Sequence, residues 1–310
     1  MPKSRISQKL ALVSGILVGL LASSALAQVR STISFDNDWL FLKGDVMGAE
    51  TVNFNDSSWR RLDVPHDWSI EGPFDAKNPT GGAGGFLPAG VGWYRKHFNV
   101  AGNQKDKRIF IEFDGVMANS DVWINGVHLG KRPYGYVSFA YEMTGHLNLG
   151  QDNVIAVRAD NSGQPASRWY TGAGIYRHVH LVTTGQTRFA NWGVFVTTPR
   201  IDAKQATIHI SGEVLNQSAA GRTAGMQVDL IGPDGKSVAS GQTSVGNIAP
   251  DQMMTFISIL QSKTLSFGTS GKGFFTRRSR VSRTAAKRST SKQFHSVFVN
   301  FISIRPPDSG

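Results

Sequence analysis

From Phe35 onward the apolar residues recur at every second position in short runs, and almost nowhere at every third or fourth. That period sends successive side chains to opposite faces of an extended chain, so it predicts strands with one half-buried face. RIFIEFDG (Arg108–Gly115) predicts a strand with Ile109, Ile111 and Phe113 on one side. SDVWINGVHLG (Ser120–Gly130) is two such runs meeting at Asn125-Gly126, a pair that accepts positive φ at both central positions of a tight hairpin turn. The series continues through NVIAVRADN, RHVHLVTT, WGVFVTTP, ATIHISGEVLN and MQVDLIGPDGKSVAS, the last interrupted by a turn at Pro233–Gly235.

Strands at this spacing predict antiparallel sandwiches. The texture changes near Thr184–Arg188, where long Gly- and aromatic-rich connections give way to short ones. The expected fold class is all-β: a jelly-roll (galactose-binding-like) β-sandwich over 34–185, then an incomplete immunoglobulin-like β-sandwich over 186–260.

Charge changes this picture only at the ends. The formal net charge is +11, but residues 1–27 contribute +3, residues 262–310 contribute +9, and the middle is −1. The body is therefore neutral, and a polyanion partner finds no support in it. The first end is a basic stretch (MPKSRISQK), an apolar run over Leu10–Ala22, and a small-residue signal at Ala25–Ala27. Those three parts predict an export signal cleaved after Ala27, and the apolar run is shorter than the roughly 20 residues that span a bilayer. Periplasmic or extracellular localisation follows as an expectation, and the lack of Cys removes disulfides and thiolate metal sites.

Chemistry has to come from two long connections. VPHDWSIEGPFDAKNPTGGAGGFLPAGVGWYRKHF (Val64–Phe98) and NSGQPASRWYTGAGIYR (Asn161–Arg177) combine Gly, Pro and aromatics with His66, Asp67, Glu71, Asp75 and Asn78. Segments this long without regular structure are functional or disordered, and the aromatics argue against disorder. Rings beside carboxylates, amides and Arg suit a sugar, whose apolar face stacks while its hydroxyls take hydrogen bonds. Trp68, Trp93 and Trp169 serve equally well as plugs in the end of the sandwich. His178 and His180 lie two apart on one strand face, but no third ligand stands at a metal-binding spacing, so no metal is expected.

GWYRKHF, FDGVMANSDVWINGVHLG with GYVSFAYEMT, and NVIAVRADNS with SRWYTGAGIYRHVHL resemble the sugar-binding jelly roll that opens glycoside hydrolase family 2 enzymes. The wording of Val64–Lys96 is especially similar to the β-galactosidase branch, and the resemblance extends over about Phe35–Met254. It implies a retaining reaction on β-galactosides or related carbohydrates, without an organic cofactor. Two glutamates would perform it, one as acid/base and one as nucleophile, on a (β/α)8 barrel of roughly 250 residues. None of Glu50, Glu71, Glu112, Glu142 and Glu213 matches the family's catalytic motifs, so this chain alone is expected to be inactive. The resemblance carries Asn78 over as a sugar contact, with Arg168 and Trp169 as further substrate-binding candidates. Ser167 and Arg168 stand where some relatives place an Asp. The alternative reading is a stand-alone carbohydrate-binding module.

The basic stretch 261–310 fits neither a nucleic-acid arm nor a membrane-surface helix, because KQFHSVFVNFISI is apolar and the basic part lacks large apolar residues for a second face. With synonymous codons chosen freely, a shifted reading frame recovers family-like phrases in order from LSFGTSGKGFFTRR, RTAAKRSTSKQF and HSVFVN. The expectation is a frame slip near Ile257–Lys263, followed by unselected sequence without a partner or order.

Overall fold

The computed structural model describes residues 30–201, 205–231 and 236–262, together with the backbone of 295–301. Within these, the protein is built almost wholly of strands. In chain order they are β1 (Ser31–Ser34), β2 (Trp39–Lys43), β3 (Arg60–Leu62), β4 (Val91–Asn99), β5 (Arg108–Phe113), β6 (Ser120–Ile124), β7 (Val127–Arg132) and β8 (Phe139–Glu142). They continue with β9 (Asp152–Asp160), β10 (Val179–Thr184), β11 (Thr187–Ile201), β12 (Ala206–Asn216), β13 (Arg222–Ile231), β14 (Ser237–Ile248), β15 (Gln252–Ser262) and β16 (His295–Phe301).

The first ten strands form two sheets. One runs β3-β2-β4-β9-β6-β7 and the other β1-β10-β5-β8, with every pairing antiparallel. The core fills the space between them. Ile109, Ile111 and Phe113 of β5 all reach it, as their alternation predicts, and meet Trp39, Tyr94, Ile155 and Val157 from the other sheet. Phe113 stacks on Phe139 with ring centroids 5.0 Å apart. The β6–β7 hairpin turns on Asn125 and Gly126 at φ 49° and 81°, the conformation their types allow.

One sheet face departs from simple alternation. In β4, Gly92, Trp93, Tyr94 and Arg95 are all buried. The segment 44–59 crosses the outer face of this sheet and covers Trp93 and Arg95. Arg95 anchors it, donating to Asp56 Oδ2 at 2.7 Å, to Thr51 O at 3.0 Å and to Ala49 O. Burial pushes the Asp56 carboxyl up, but Arg95 and His97 more than offset this and hold it below its ordinary value.

The second sandwich sets β11-β12-β15 against β14-β13-β16. β12, β13 and β15 alternate over most of their length, with Ile208, Ile210, Met226, Val228, Phe256 and Leu260 buried inward. Arg188 of β11 lies over Phe110 at 4.6 Å, and Arg108 donates to Gln217 O at 3.1 Å, so β5 touches both units.

Three sequence expectations need comment. The long connection expected to run to Phe98 ends at Gly90, because GWYRKHF is the start of β4, paired with β9 along its whole length. The backbone of 295–301, expected to have no structure, adds a strand running parallel to β13. The export signal over 1–27, the turn at Pro233–Gly235 and the remainder of the basic tail lie outside the described residues.

Candidate functional site

Four connections meet at one end of the first sandwich: 63–90 after β3, 114–119 after β5, 133–138 after β7 and 161–178 after β9. Their backbones are tied together directly. Met117 and Gly174 exchange hydrogen bonds of 2.9 and 2.6 Å, and His66 N donates to Ile175 O at 2.8 Å. Asn119 N donates to Pro133 O at 3.0 Å, and Asn161 and Gly90 are joined by two bonds of 3.0 Å. Gly174 must be glycine: at φ 83° an added Cβ would stand 2.0 Å from the Tyr94 hydroxyl.

Short polar side chains hold the 63–90 connection in shape, as they do in compact loops generally. Thr80 Oγ1 donates to Leu87 O at 2.7 Å, Ser69 Oγ to Pro88 O, and Asp75 Oδ1 accepts from Lys77 N at 2.8 Å. Asn78 belongs to this set. Its Nδ2 donates to Pro73 O at 2.9 Å and to Phe86 O at 2.8 Å, so both amide hydrogens staple the loop and only Oδ1 is left for a ligand.

The two long connections are clasped across the site by Asp67 and Tyr170. The Tyr170 hydroxyl lies 2.6 and 2.7 Å from the two carboxylate oxygens. Burial pushes the Asp67 carboxyl up, and hydrogen bonds from Tyr170 and from the backbone of Ser69, Ile70 and Ala173 offset that only in part. Burial and the adjacent carboxylate together push the Tyr170 hydroxyl far above its ordinary value. Beside the clasp, His66 places Nδ1 2.9 Å from the Tyr94 hydroxyl and Nε2 2.8 Å from Arg60. Burial lowers the His66 pKa more than the neighbouring Glu71 raises it. A neutral ring accepting from Arg60 at Nε2 donates from Nδ1 to Tyr94, whose hydroxyl then faces His66 O at 3.4 Å.

The three tryptophans separate cleanly. Trp68 and Trp93 are 1% and 3% exposed and serve the interior, Trp93 stacking on Trp123 at 5.3 Å. Trp169 is 62% exposed, with Nε1 donating to the Tyr136 hydroxyl at 3.2 Å. Arg168 beside it is also exposed. Trp169 and Arg168 are therefore adjacent, whereas among the described residues no hydrogen bond joins either to Asn78. Sequence reasoning missed the Asp67–Tyr170 clasp and the exposed tyrosines 134 and 136; the one available signal was an aromatic-rich PYGY between two strand patterns.

Three of the first sandwich's glutamates are committed to cations. Glu71 meets Arg60 at 2.7 Å, Glu112 meets Arg30 at 3.1 Å, and Glu142 meets Arg108 at 3.0 Å. His178 and His180 face Asp36 and Asp114 at 2.8 and 3.5 Å. The arrangement can stack and hydrogen-bond a polyhydroxylated ligand.

Comparison with known proteins fits this geometry. Residues 23–185 match the model described as glycosyl hydrolases family 2, sugar binding domain. The chain is 47% identical over 227 residues to the β-galactosidase BoGH2A of Bacteroides ovatus, covering 73% of this chain and 27% of that protein. It is 31% identical over 258 residues to a β-glucuronidase of Formosa agariphila, covering 76% and 26%. The solved structure of a family 2 member from Bacteroides cellulosilyticus superposes with a TM-score of 0.71 at 36% identity, over 78% of this chain and 32% of that one. The chain thus spans about a quarter of the length of the curated relatives it matches. Its ten-strand sandwich, its loop-built end and a match running through 23–185 place the chain in glycoside hydrolase family 2, as a bearer of that family's sugar binding domain.

Proposed function

We propose that this chain is the sugar-recognising N-terminal region of an exported, retaining β-glycosidase of β-galactosidase type. The observation that carries the reading is the 47% identity to a β-galactosidase, which extends over 227 residues, more than the sugar binding domain alone contains. In this reading the four connections at the end of the first sandwich contribute the sugar contacts, with Asn78 Oδ1, Arg168 and the open face of Trp169 as the groups that meet a β-galactoside. Protonation of the leaving oxygen and attack at the sugar carbon need two carboxylates about 5–5.5 Å apart. The glutamates paired to Arg60, Arg30 and Arg108 are poor candidates for that role, so the reading assigns it to a separate domain.

A stand-alone binding module is the second reading, favoured by the same ion-paired glutamates. Both readings predict that the isolated chain binds galactose or a β-galactoside in calorimetry and turns over no chromogenic galactoside. They part when a family 2 barrel domain is supplied in trans: restored hydrolysis supports the first, and none supports the second. Turnover by the isolated chain that disappears on substituting one of its own carboxylates would overturn both. Tighter binding of glucuronate than of galactose would move the substrate class toward that of the β-glucuronidase relatives.

A further inference from the structure

We propose that Tyr134 and Tyr136 extend the Trp169 surface into a second sugar position, so that the site takes a β-linked oligosaccharide and not one sugar alone. This rests on the sugar-site reading above and deepens it.

Three aromatic side chains stand exposed on the 133–138 and 161–178 connections: Trp169 at 62%, Tyr134 at 61% and Tyr136 at 39%. They are linked in sequence across the surface. Trp169 Nε1 donates to the Tyr136 hydroxyl at 3.2 Å, and the Tyr136 ring meets the Tyr134 ring edge-on with centroids 5.5 Å apart. That separation is comparable to the step from one sugar to the next along a glycan.

Exposure here is not looseness. The 133–138 connection is held by Tyr176, whose hydroxyl donates to Gly135 O at 3.0 Å, and by Ser138 Oγ donating to Asp114 O at 3.2 Å. Gly135 is buried so closely on Met117 that an added Cβ would stand 2.8 Å from its Sδ and Cε and from Val116 O. A backbone fixed this firmly holds Tyr134 outward, although burying the ring would add to stability. Exposed aromatic faces held in place are suited to the apolar face of a pyranose, and ordering them beforehand removes an entropic cost of binding.

The polar groups fit the same ligand. The Tyr136 hydroxyl is already engaged by Trp169 and so fixes the ring planes, while among the described residues the Tyr134 hydroxyl has no hydrogen-bond partner and remains as donor and acceptor for a sugar hydroxyl. Arg168, exposed beside Trp169, adds a further donor at the other end of the row.

The test is calorimetric titration of the full chain with galactose and with a β-linked galactobiose. Tyr134→Ala is expected to weaken galactobiose about tenfold and to leave galactose unchanged, with Tyr134→Trp restoring galactobiose affinity. Because Tyr134 is exposed, its melting temperature should stay at the wild-type value. Equal galactobiose affinity in wild type and Tyr134→Ala, with Trp169→Ala still weakening both sugars, overturns the second position and leaves the sugar-site reading standing. Failure of the wild-type chain to bind either sugar overturns both.

Discussion

In the first sandwich the chain leaves β3 at Leu62 and does not rejoin the sheet until Val91; in the second, β12 ends at Asn216 and β13 begins at Arg222. The interiors differ to match. Trp39, Trp68, Tyr94, Phe113 and Phe139 fill the first core, whereas the second is mostly aliphatic, with Phe256 and the partly buried Phe189 beside it. Large rings reach from the sheets into the loop-built end, as Tyr94 does toward His66 and Gly174. A core of Ile and Val suffices where strands simply face one another. The comparison teaches that a long connection keeps a defined shape when short polar side chains tie its backbone, as Thr80, Asn78 and Asp67 do in the first sandwich.

The largest way to break that contrast is Arg95. Its side chain is fully buried and holds the 44–59 segment through Asp56, Thr51 and Ala49. Arg95→Met leaves Asp56 with His97 as its partner and the carbonyls of Ala49 and Thr51 without their donor, and removing one partner of a buried pair costs about 3–5 kcal/mol. Denaturant unfolding should show the loss in the transition reported by Trp93 and Trp123, both of which lie in the first sandwich. A loss of under about 1 kcal/mol would mean that the segment is held by its apolar contacts instead.

Smaller in effect is the clasp. Tyr170→Phe removes a hydrogen bond to a partly buried carboxylate, and such bonds contribute about 1–3 kcal/mol. The pH dependence has a definite sign. Burial raises the folded-state pKa of Asp67 above its ordinary 3.8, so the folded state holds the proton more tightly than the unfolded one. Its contribution to stability is therefore greatest below 3.8 and falls as pH rises through the raised value. Losing the Tyr170 donor raises that value further, so the cost of the substitution should be smallest in acid and grow to its full size above the titration. Hydrogen exchange should quicken in 161–178 and leave β12 and β13 unchanged. A cost independent of pH would show that the hydroxyl serves packing alone.

Such contrasts also mark what the sequence could disclose. Ile109, Ile111 and Phe113 were legible because their period of two persists beside Arg108 and Glu112, although Phe110 on the opposite face is also buried. Asn125-Gly126 was legible because few residue pairs tolerate that turn. β4 was hidden inside an apparent loop because the 44–59 segment covers its outer face, and burial on both sides erases alternation. The clasp was not legible at all: Asp67 and Tyr170 are 103 residues apart, and neither local pattern requires the other. Of the site candidates, Trp169 could be named from its loop. Its separation from the interior tryptophans needed three-dimensional burial, and Asn78 as a loop staple needed the carbonyl positions of Pro73 and Phe86.

The smallest expected effect comes from the outer face of the second sandwich, which sharpens the comparison from the opposite side. Register places Phe195, Ser211 and Ile257 in one row and Thr197, His209 and Ile259 in the next. Phe195, Ile257 and Ile259 are all well exposed, so among the described residues this face carries an apolar ring and branches without the covering segment that the first sandwich lays over Trp93. Ile257→Thr keeps a β-branched side chain at an exposed strand position and should change stability by no more than about 0.5 kcal/mol. It removes part of a contiguous apolar patch, so light scattering should show reduced self-association. The inward control, Ile210→Thr, places a hydroxyl in the aliphatic core and should be far more destabilising. Equal losses at 257 and 210 would mean that the outer face is as enclosed as that of the first sandwich, and the contrast between the two units would disappear.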